Sequence, residues 1–205
     1  MPLWHFLYLC PECGFDPMEG KGDRAWCSSC GVRFHRDREG ELKLARPDGT
    51  QEVRTGPELA EAIDGFGGPL SRARYEGGKI RYGARAALRL LNGEAPVRRG
   101  GQLLGYHELL DGARVGHVEV DPEGVSFDPE TDGTALRWPL MELKSLQASS
   151  AAIQLGHPEH GLAEFRFFSD SPRRWEDLLA RLIRDAWRRA GRGEIVEFQP
   201  RIVAR

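Results

Sequence analysis

The sequence predicts a mainly β chain of the α+β class, in which a small N-terminal part precedes an antiparallel β-barrel or sandwich capped by a C-terminal α-helix. Three observations lead to this prediction. All four cysteines of the 205 residues fall within one 21-residue window near the N-terminus. Between residues 101 and 170, short apolar runs alternate with turn residues, as is typical of antiparallel strands. One amphipathic stretch with helical spacing follows these runs.

The overall charge excludes a bulk polycation of the histone or ribosomal kind. The chain has 31 acidic and 29 basic side chains and a formal net charge of -2. Any attraction to nucleic acid or to a membrane must therefore come from local clusters of charge. The first residues lack the positive region of a signal peptide, and no stretch approaches the roughly 20 apolar residues of a membrane span. We expect a cytoplasmic protein, a compartment in which clustered cysteines bind metal more often than they form disulfides.

The cysteines form two C-x2-C pairs that are typical of a metal site. Cys10 and Cys13 make the first pair, Cys27 and Cys30 the second, and a glycine follows each pair. Each turn aims two thiolates at one point, and the glycine accepts the positive φ that such a turn needs. Four thiolates suit tetrahedral Zn²⁺ and leave no coordination position open for a substrate. The pattern predicts a structural zinc site, with iron as the alternative.

Residues 7–46, with their CPxCG-type knuckle, resemble zinc ribbons. In this resemblance a strand at residues 8–11 enters the first knuckle, residues 32–36 leave the second, and residues 41–44 form the next strand. We therefore expect residues 1–50 to form a zinc ribbon. Residues 1–50 hold seven basic and eight acidic side chains, a balance that predicts no phosphate-seeking surface.

Residues 51–83 are predicted to form a short helix followed by a Gly-rich basic linker. Thr55 is the expected N-cap of a helix over residues 57–64, and the Gly-Phe-Gly-Gly-Pro sequence at residues 65–69 ends it. Residues 70–100 carry eight basic and two acidic side chains, whereas residues 101–170 carry four basic and twelve acidic ones. Six residues of the basic segment are our candidates for binding a ligand or partner: Arg72, Arg74, Lys79, Arg81, Arg98 and Arg99.

Residues 84–191 are predicted to form the larger domain. Its expected strands lie at residues 115–120, 125–127, 135–140, 143–146, 152–155 and 163–168. A helix then begins at the N-cap Ser171 with Pro172 in its first turn, and Gly191 is placed to end it. Its predicted core stripe is Trp175, Leu178, Leu179, Leu182 and Ala186. Its predicted solvent-exposed arginines are Arg173, Arg174, Arg181, Arg184 and Arg188.

This order of strands followed by one amphipathic helix resembles the pleckstrin-homology (PH) superfold. The Gly-Val-Ser-Phe strand at residues 124–127 and the sequence Trp-Pro-Leu-Met-Glu-Leu-Lys-Ser-Leu at residues 138–146 are similar to the GRAM-type branch. The resemblance implies lipid headgroups or peptides as ligands. After this domain, residues 192–205 are predicted to form a strand-like tail.

The sequence contains no nucleophile elbow, P-loop, H-E-x-x-H zinc motif or G-x-G-x-x-G loop, so we expect a protein that is not an enzyme. The first hypothesis is a zinc-stabilised binding or adaptor protein whose PH/GRAM-like domain docks on an anionic membrane surface or a protein partner. The second is a nucleic-acid-binding protein, with residues 72–75 and 79–82 interleaving basic and aromatic side chains. The third is an accessory or regulatory subunit of a separate enzyme, which its tail at residues 194–198 would contact.

Overall fold

Two antiparallel sheets, each with its own hydrophobic core, are the main features of the computed structural model, which describes residues 2–131 and 133–192. The predicted tail lies almost entirely outside these residues. Among them, no helix combines the length and the apolar character needed to cross a membrane.

The N-terminal sheet is a five-stranded meander in which each strand pairs with the next. Its elements are α1 (Leu3–Phe6), β1 (Glu19–Lys21), β2 (Arg24–Trp26), β3 (Arg33–Arg36), β4 (Leu42–Ala45) and β5 (Gln51–Arg54). The expected strands at residues 32–36 and 41–44 are present as β3 and β4. The strand expected at residues 8–11 is not formed. This segment instead enters a turn, in which the N–H of Cys10 donates to the carbonyl of Phe15 and the N–H of Gly14 donates to the carbonyl of Cys10.

The predicted short helix is present as α2 (Gly56–Gly65). Thr55 caps it with a complete capping box, because its hydroxyl accepts from the Glu58 N–H and the Glu58 carboxylate accepts from the Thr55 N–H. Leu59 and Ile63 of α2 are buried in the N-terminal core. Since β5 also pairs with β4, residues 51–65 pack with the N-terminal sheet. The domain boundaries at residues 50, 83 and 191 stay a prediction.

The larger sheet surrounds the second core. Its strands are β6 (Arg74–Glu76), β7 (Lys79–Arg99), β8 (Gln102–Leu110), β9 (Arg114–Val120), β10 (Gly124–Pro129), β11 (Leu136–Pro139), β12 (Ser145–Ala148), β13 (Ile153–His157) and β14 (Gly161–Phe167). The order is β11-β10-β9-β7-β14-β13-β12, all antiparallel, while β6 and β8 pair with β7. Two meanders thus meet at β7, and α3 (Pro172–Arg189) follows them. This topology confirms the predicted class, a mainly β antiparallel fold of the PH-like kind closed by a C-terminal helix.

Helix α3 begins as predicted, since the Ser171 hydroxyl accepts from the N–H of Arg174 and Pro172 is the first helical residue. The predicted core stripe is buried, and the indole of Trp175 stacks on Phe167 with 4.8 Å between ring centroids. One prediction about α3 is wrong. Arg174, expected in solvent, is only 1% exposed, because the N-terminal part of the chain packs over that side of the helix.

Strand β7 is 21 residues long and continues well beyond the core. Its first half pairs with β9 and β14, and its second half pairs only with β8. From residue 89 to residue 115 no side chain is buried. We call residues 91–110 the arm. At about 3.3 Å per residue it reaches about 30 Å from the sheet.

Candidate metal centre and binding surfaces

The four cysteines come together at one point of the N-terminal core, in which Cys10 and Cys27 are buried. Their sulfur atoms all lie within 4.8 Å of one another. The Sγ atoms of Cys10 and Cys30 are 3.7 Å apart, and those of Cys13 and Cys27 are 3.6 Å apart. A tetrahedron with Zn–S bonds of about 2.3 Å has edges of about 3.8 Å. The donor set therefore fits a tetrahedral metal ion.

Two turns of the same geometry position these sulfurs. In each turn the glycine N–H donates to the carbonyl of the first cysteine, over 2.8 Å in Gly14–Cys10 and 3.0 Å in Gly31–Cys27. Gly14 and Gly31 have φ angles of 72° and 74°, which residues other than glycine rarely adopt. The two knuckles were thus predictable from the C-x2-C-G pattern alone.

The thiols differ in their surroundings. Burial raises the pKa of Cys10 and also that of Cys30. For Cys27 burial acts in the same direction, but hydrogen bonds from the backbone N–H groups of Cys30 and Ser29 prevail, so its pKa is lowered. A bound cation would compensate the charge of all four thiolates. With four protein ligands, such a centre can stabilise the fold but leaves no position for a substrate.

The six candidate basic residues fall into two groups in the structure. Arg72, Arg74, Lys79 and Arg81 lie around the beginning of β7, and Arg98 and Arg99 lie at its far end. Lys79 and Arg98 are separated by about 60 Å of extended strand. The topology therefore does not bring the six into one patch.

Two residues of the first group, Lys79 and Arg81, are neutralised by carboxylates. Lys79 Nζ lies 2.5 Å from Glu123 Oε1, and Arg81 Nη1 lies 2.7 Å from Glu119 Oε1. Arg72 lies 3.9 Å from Asp16. The charges of Lys79 and Arg81 are thus neutralised, although the sequence there is strongly basic. Asp16 lies closer to Arg174 than to Arg72, and Arg74 has no ion pair within the part of the chain that the structure describes.

The tip of the arm combines the second group with exposed apolar side chains. The exposed fraction is 59% for Leu104 and 63% for Tyr106. Further exposed apolar residues at or near the tip are Val97, Leu103 and Leu109. Val97 and Arg98 are neighbours on β7 and point to opposite faces, and Leu103 lies opposite Arg98, so Val97 and Leu103 make both faces of the tip apolar. Leu104 is the extra residue of a β-bulge between them. Sequence reasoning missed these residues, although alternation around Gly100-Gly101 is a hairpin signal.

Solved structures of other proteins are similar to part of this chain. No protein-family model and no curated protein matches it. The solved N-terminal PH domain of human ARAP2 is similar, with a TM-score of 0.37 and 11% identity over 58% of this chain and 90% of that one. The C-terminal domain of an unknown protein from Leishmania infantum is similar at a TM-score of 0.35 and 10% identity, covering 59% and 94%. At these values the fold class rests on the strand order of the chain itself.

Proposed function

We propose that this chain is a non-enzymatic binding protein in which a structural Zn²⁺ on Cys10, Cys13, Cys27 and Cys30 stabilises the N-terminal part. The PH-like domain docks on the anionic cytoplasmic surface of a membrane through the tip of the arm. The observation that carries the proposal is the tip itself, where two arginines stand among exposed apolar side chains far from either core.

Apolar exposure at the tip supports membrane docking. A two-stranded hairpin without a core is marginally stable in water, and contiguous exposed apolar side chains mark interaction sites. Both faces of the tip are apolar. A lipid layer that surrounds the hairpin therefore buries more of its apolar surface than a protein partner that contacts one face. Leu103, Leu104 and Tyr106 would enter the boundary between headgroups and acyl chains.

The distribution of charge supports the same orientation. Within residues 2–131 and 133–192, Arg98 and Arg99 form no ion pair, and Arg98 Nη1 donates to the carbonyl of Gly101 over 3.3 Å. Their charges are therefore available to lipid phosphates. Glu94 and Glu108 lie directly opposite each other further down the arm, on the side towards the sheet. The arm thus carries its positive charge at the tip and its negative charge behind it, as binding to an anionic surface requires.

Zinc accounts for the N-terminal part of the proposal. Thiolates are soft ligands that select Zn²⁺ or iron, and the sulfur separations match a tetrahedron of zinc size. The strands of this sheet have only three or four residues each, so a bound metal would supply stability that a small core lacks.

Vesicle sedimentation tests the docking proposal. The native chain should bind vesicles of phosphatidylcholine with about 30% phosphatidylserine and bind pure phosphatidylcholine much more weakly. At about 1 kcal/mol per arginine, Arg98→Gln with Arg99→Gln should weaken binding about 30-fold. Leu103→Ser with Leu104→Ser should weaken it as well. The matched control is Lys79→Gln with Arg81→Gln, which removes the same charge from the neutralised group and should bind as the native chain does.

Two results would overturn the proposal. One is equal binding to both vesicle types by the native chain and both arm variants. The other is no binding to either vesicle, which would make the arm a surface for a protein partner instead.

A further inference from the structure

The outer face of the N-terminal sheet carries a ladder of basic side chains. The register places Lys21 opposite Arg24, Arg24 opposite His35, and His35 opposite Lys43. With about 4.8 Å between strands, the ladder crosses four strands in about 14 Å. We call these residues, together with Trp26 and Arg33, the outer face.

Like charges directly opposite each other destabilise a sheet. Lys21 and Arg24 face each other in this way, whereas His35 counts as neutral in the formal charge of the chain. The fold itself gives no reason for placing Lys21 opposite Arg24. An anion bound across the strands would remove the repulsion. The ladder therefore points to an anionic ligand.

The basic residues of this face keep much of their charge. Arg24 and Arg33 form no ion pair among the residues at 2–131 and 133–192, while Lys43 lies 2.7 Å from Asp37. Several carboxylates of the same segment are engaged elsewhere. Glu12 pairs with Arg46, and Asp16 pairs with Arg174. The positive charge of the outer face is therefore concentrated at Lys21, Arg24 and Arg33. Glu19 lies beside Trp26, and Asp37 and Glu41 lie near Lys43.

An aromatic ring lies beside the ladder. Trp26 is 38% exposed, and Arg33 lies opposite it on the neighbouring strand β3. The indole N–H donates to the carboxylate of Glu19 over 3.1 Å, which fixes the ring. Around the ring is a shallow groove of about 560 Å³, whose lining includes Ala45 and the outer-face residues Arg24 and Arg33. A positive track beside a fixed aromatic ring suits a ligand with both phosphates and flat bases.

We propose that the outer face binds single-stranded nucleic acid. Phosphates lie along Lys21, Arg24 and Arg33, and a base stacks on Trp26. Stacking on an aromatic side chain combined with a basic track is the general mode of binding single strands. The mainly apolar groove favours this ligand over an acidic peptide, which brings charge but no flat ring. The site is separate from the arm and does not depend on membrane docking.

Fluorescence anisotropy with labelled ten-nucleotide oligo(dT) and oligo(U) tests the inference. Arg24→Gln with Arg33→Gln should weaken binding at least tenfold. The slope of log K against log salt should also become shallower by about 0.7 for each phosphate that the variant no longer neutralises. Trp26→Ala should weaken binding about fivefold to 150-fold, and Trp26→Phe should restore most of the affinity.

The matched control removes two arginine charges that lie outside the outer face. Arg38 lies in the β3–β4 turn and Arg188 at the end of α3, and Arg38→Gln with Arg188→Gln should leave binding nearly unchanged. Near-UV circular dichroism and metal content confirm that each variant is folded. Vesicle binding should be native in all of them, so failure here is distinguishable from failure of membrane docking.

Three results would overturn the inference. They are an equal loss of affinity in the control variant, native affinity in Trp26→Ala, and binding of polyglutamate as tight as that of oligo(dT). The last result would assign the outer face to acidic peptides.

Discussion

Arg174 and Asp16 form an almost completely buried ion pair, with 2.6 Å between Nη2 and Oδ1. Arg174 lies in the first turn of α3, and Asp16 follows the first cysteine pair. The same guanidinium donates to the carbonyl of Tyr8 over 3.1 Å and lies 4.7 Å from the centre of its ring. Arg174, in the first turn of α3, thus holds the loop that follows Cys10 and Cys13, two of the four clustered cysteines.

Asp16→Ala should destabilise the whole chain. The substitution leaves the charge of Arg174 buried without its nearest partner. The remaining carboxylate, Asp170, is farther away, at 3.5 Å from Nε. Breaking a buried pair in this way typically costs about 3–5 kcal/mol. Urea unfolding at pH 7, followed by circular dichroism, gives the change in the free energy of unfolding.

Two variants serve as controls for this pair. Arg72 is half-exposed and lies 3.9 Å from Asp16. Arg72→Gln should therefore lower the free energy of unfolding by less than about 1 kcal/mol. Asp16→Ala combined with Arg174→Met should cost less than the sum of the single changes, since no charge stays buried. An Asp16→Ala protein within about 1 kcal/mol of the native stability would contradict the role given to the pair.

Metal removal should unfold the N-terminal sheet first. The centre has four thiolates as its only predicted ligands, so it should hold one zinc ion per chain. Elemental analysis of the purified protein measures this ratio. A chelator at high concentration should then abolish the near-UV signal of the N-terminal core and lower the Tm of the remainder, because Asp16 loses its fixed position. Cys13→Ser should reproduce the effect. A chain that keeps its spectrum and Tm without metal would exclude a structural metal, and a visible absorption band would indicate iron.

Features set by neighbouring residues were predictable from the sequence. Thr55 and Ser171 are caps because their side chains bond N–H groups three residues later, which a sequence reveals directly. The cysteine turns and the strands between residues 114 and 167 follow from the same kind of short-range signal. These signals were sufficient for the fold class.

Features set by contacts between distant segments were not predictable. Arg174 looks like a solvent-exposed helix residue until Tyr8 and Asp16 cover it. The basic ladder exists only in one strand register, which charge sums along the chain do not reveal. The length of strand β7 was missed because its outer half packs against no core. Its sequence therefore lacks the alternation of apolar and polar residues that marks a strand.

Gly116→Ala should destabilise the PH-like core. A Cβ at this position would lie 2.3 Å from the Asp128 carbonyl and 2.5 Å from the ring of Phe127, and neither can easily move in the sheet. Overpacking of this kind costs about 1–3 kcal/mol. Gly112→Ala is the control, because a Cβ there meets nothing within 4 Å. Thermal unfolding compares the two, and equal Tm values would show that β9 and β10 are less tightly packed than described.

Two buried tyrosines should make the chain unstable in alkali. Tyr82 donates to Asp170 over 2.6 Å, and Tyr8 donates to Asp177 over 3.4 Å. Burial raises the pKa of both phenols well above their ordinary value of 10.0. In the unfolded chain each phenol loses its proton near pH 10, whereas in the folded chain each keeps it. The stabilisation is therefore complete below about pH 10 and is lost progressively as the pH rises above it.

Urea unfolding from about pH 8 to about pH 11 measures this loss of stability. Tyr82→Phe has no proton to lose, so its free energy of unfolding should start lower at about pH 8 and then fall less steeply above about pH 10. The lower start follows from the missing hydrogen bond, while Asp170 still accepts from the Trp175 indole over 2.8 Å. Tyr106→Phe, on the exposed arm, is the matched control for the loss of a tyrosine hydroxyl and should keep the native free energy of unfolding at about pH 8. If Tyr82→Phe and the native chain ran parallel over this range, the buried phenol would not be the group that limits stability in alkali.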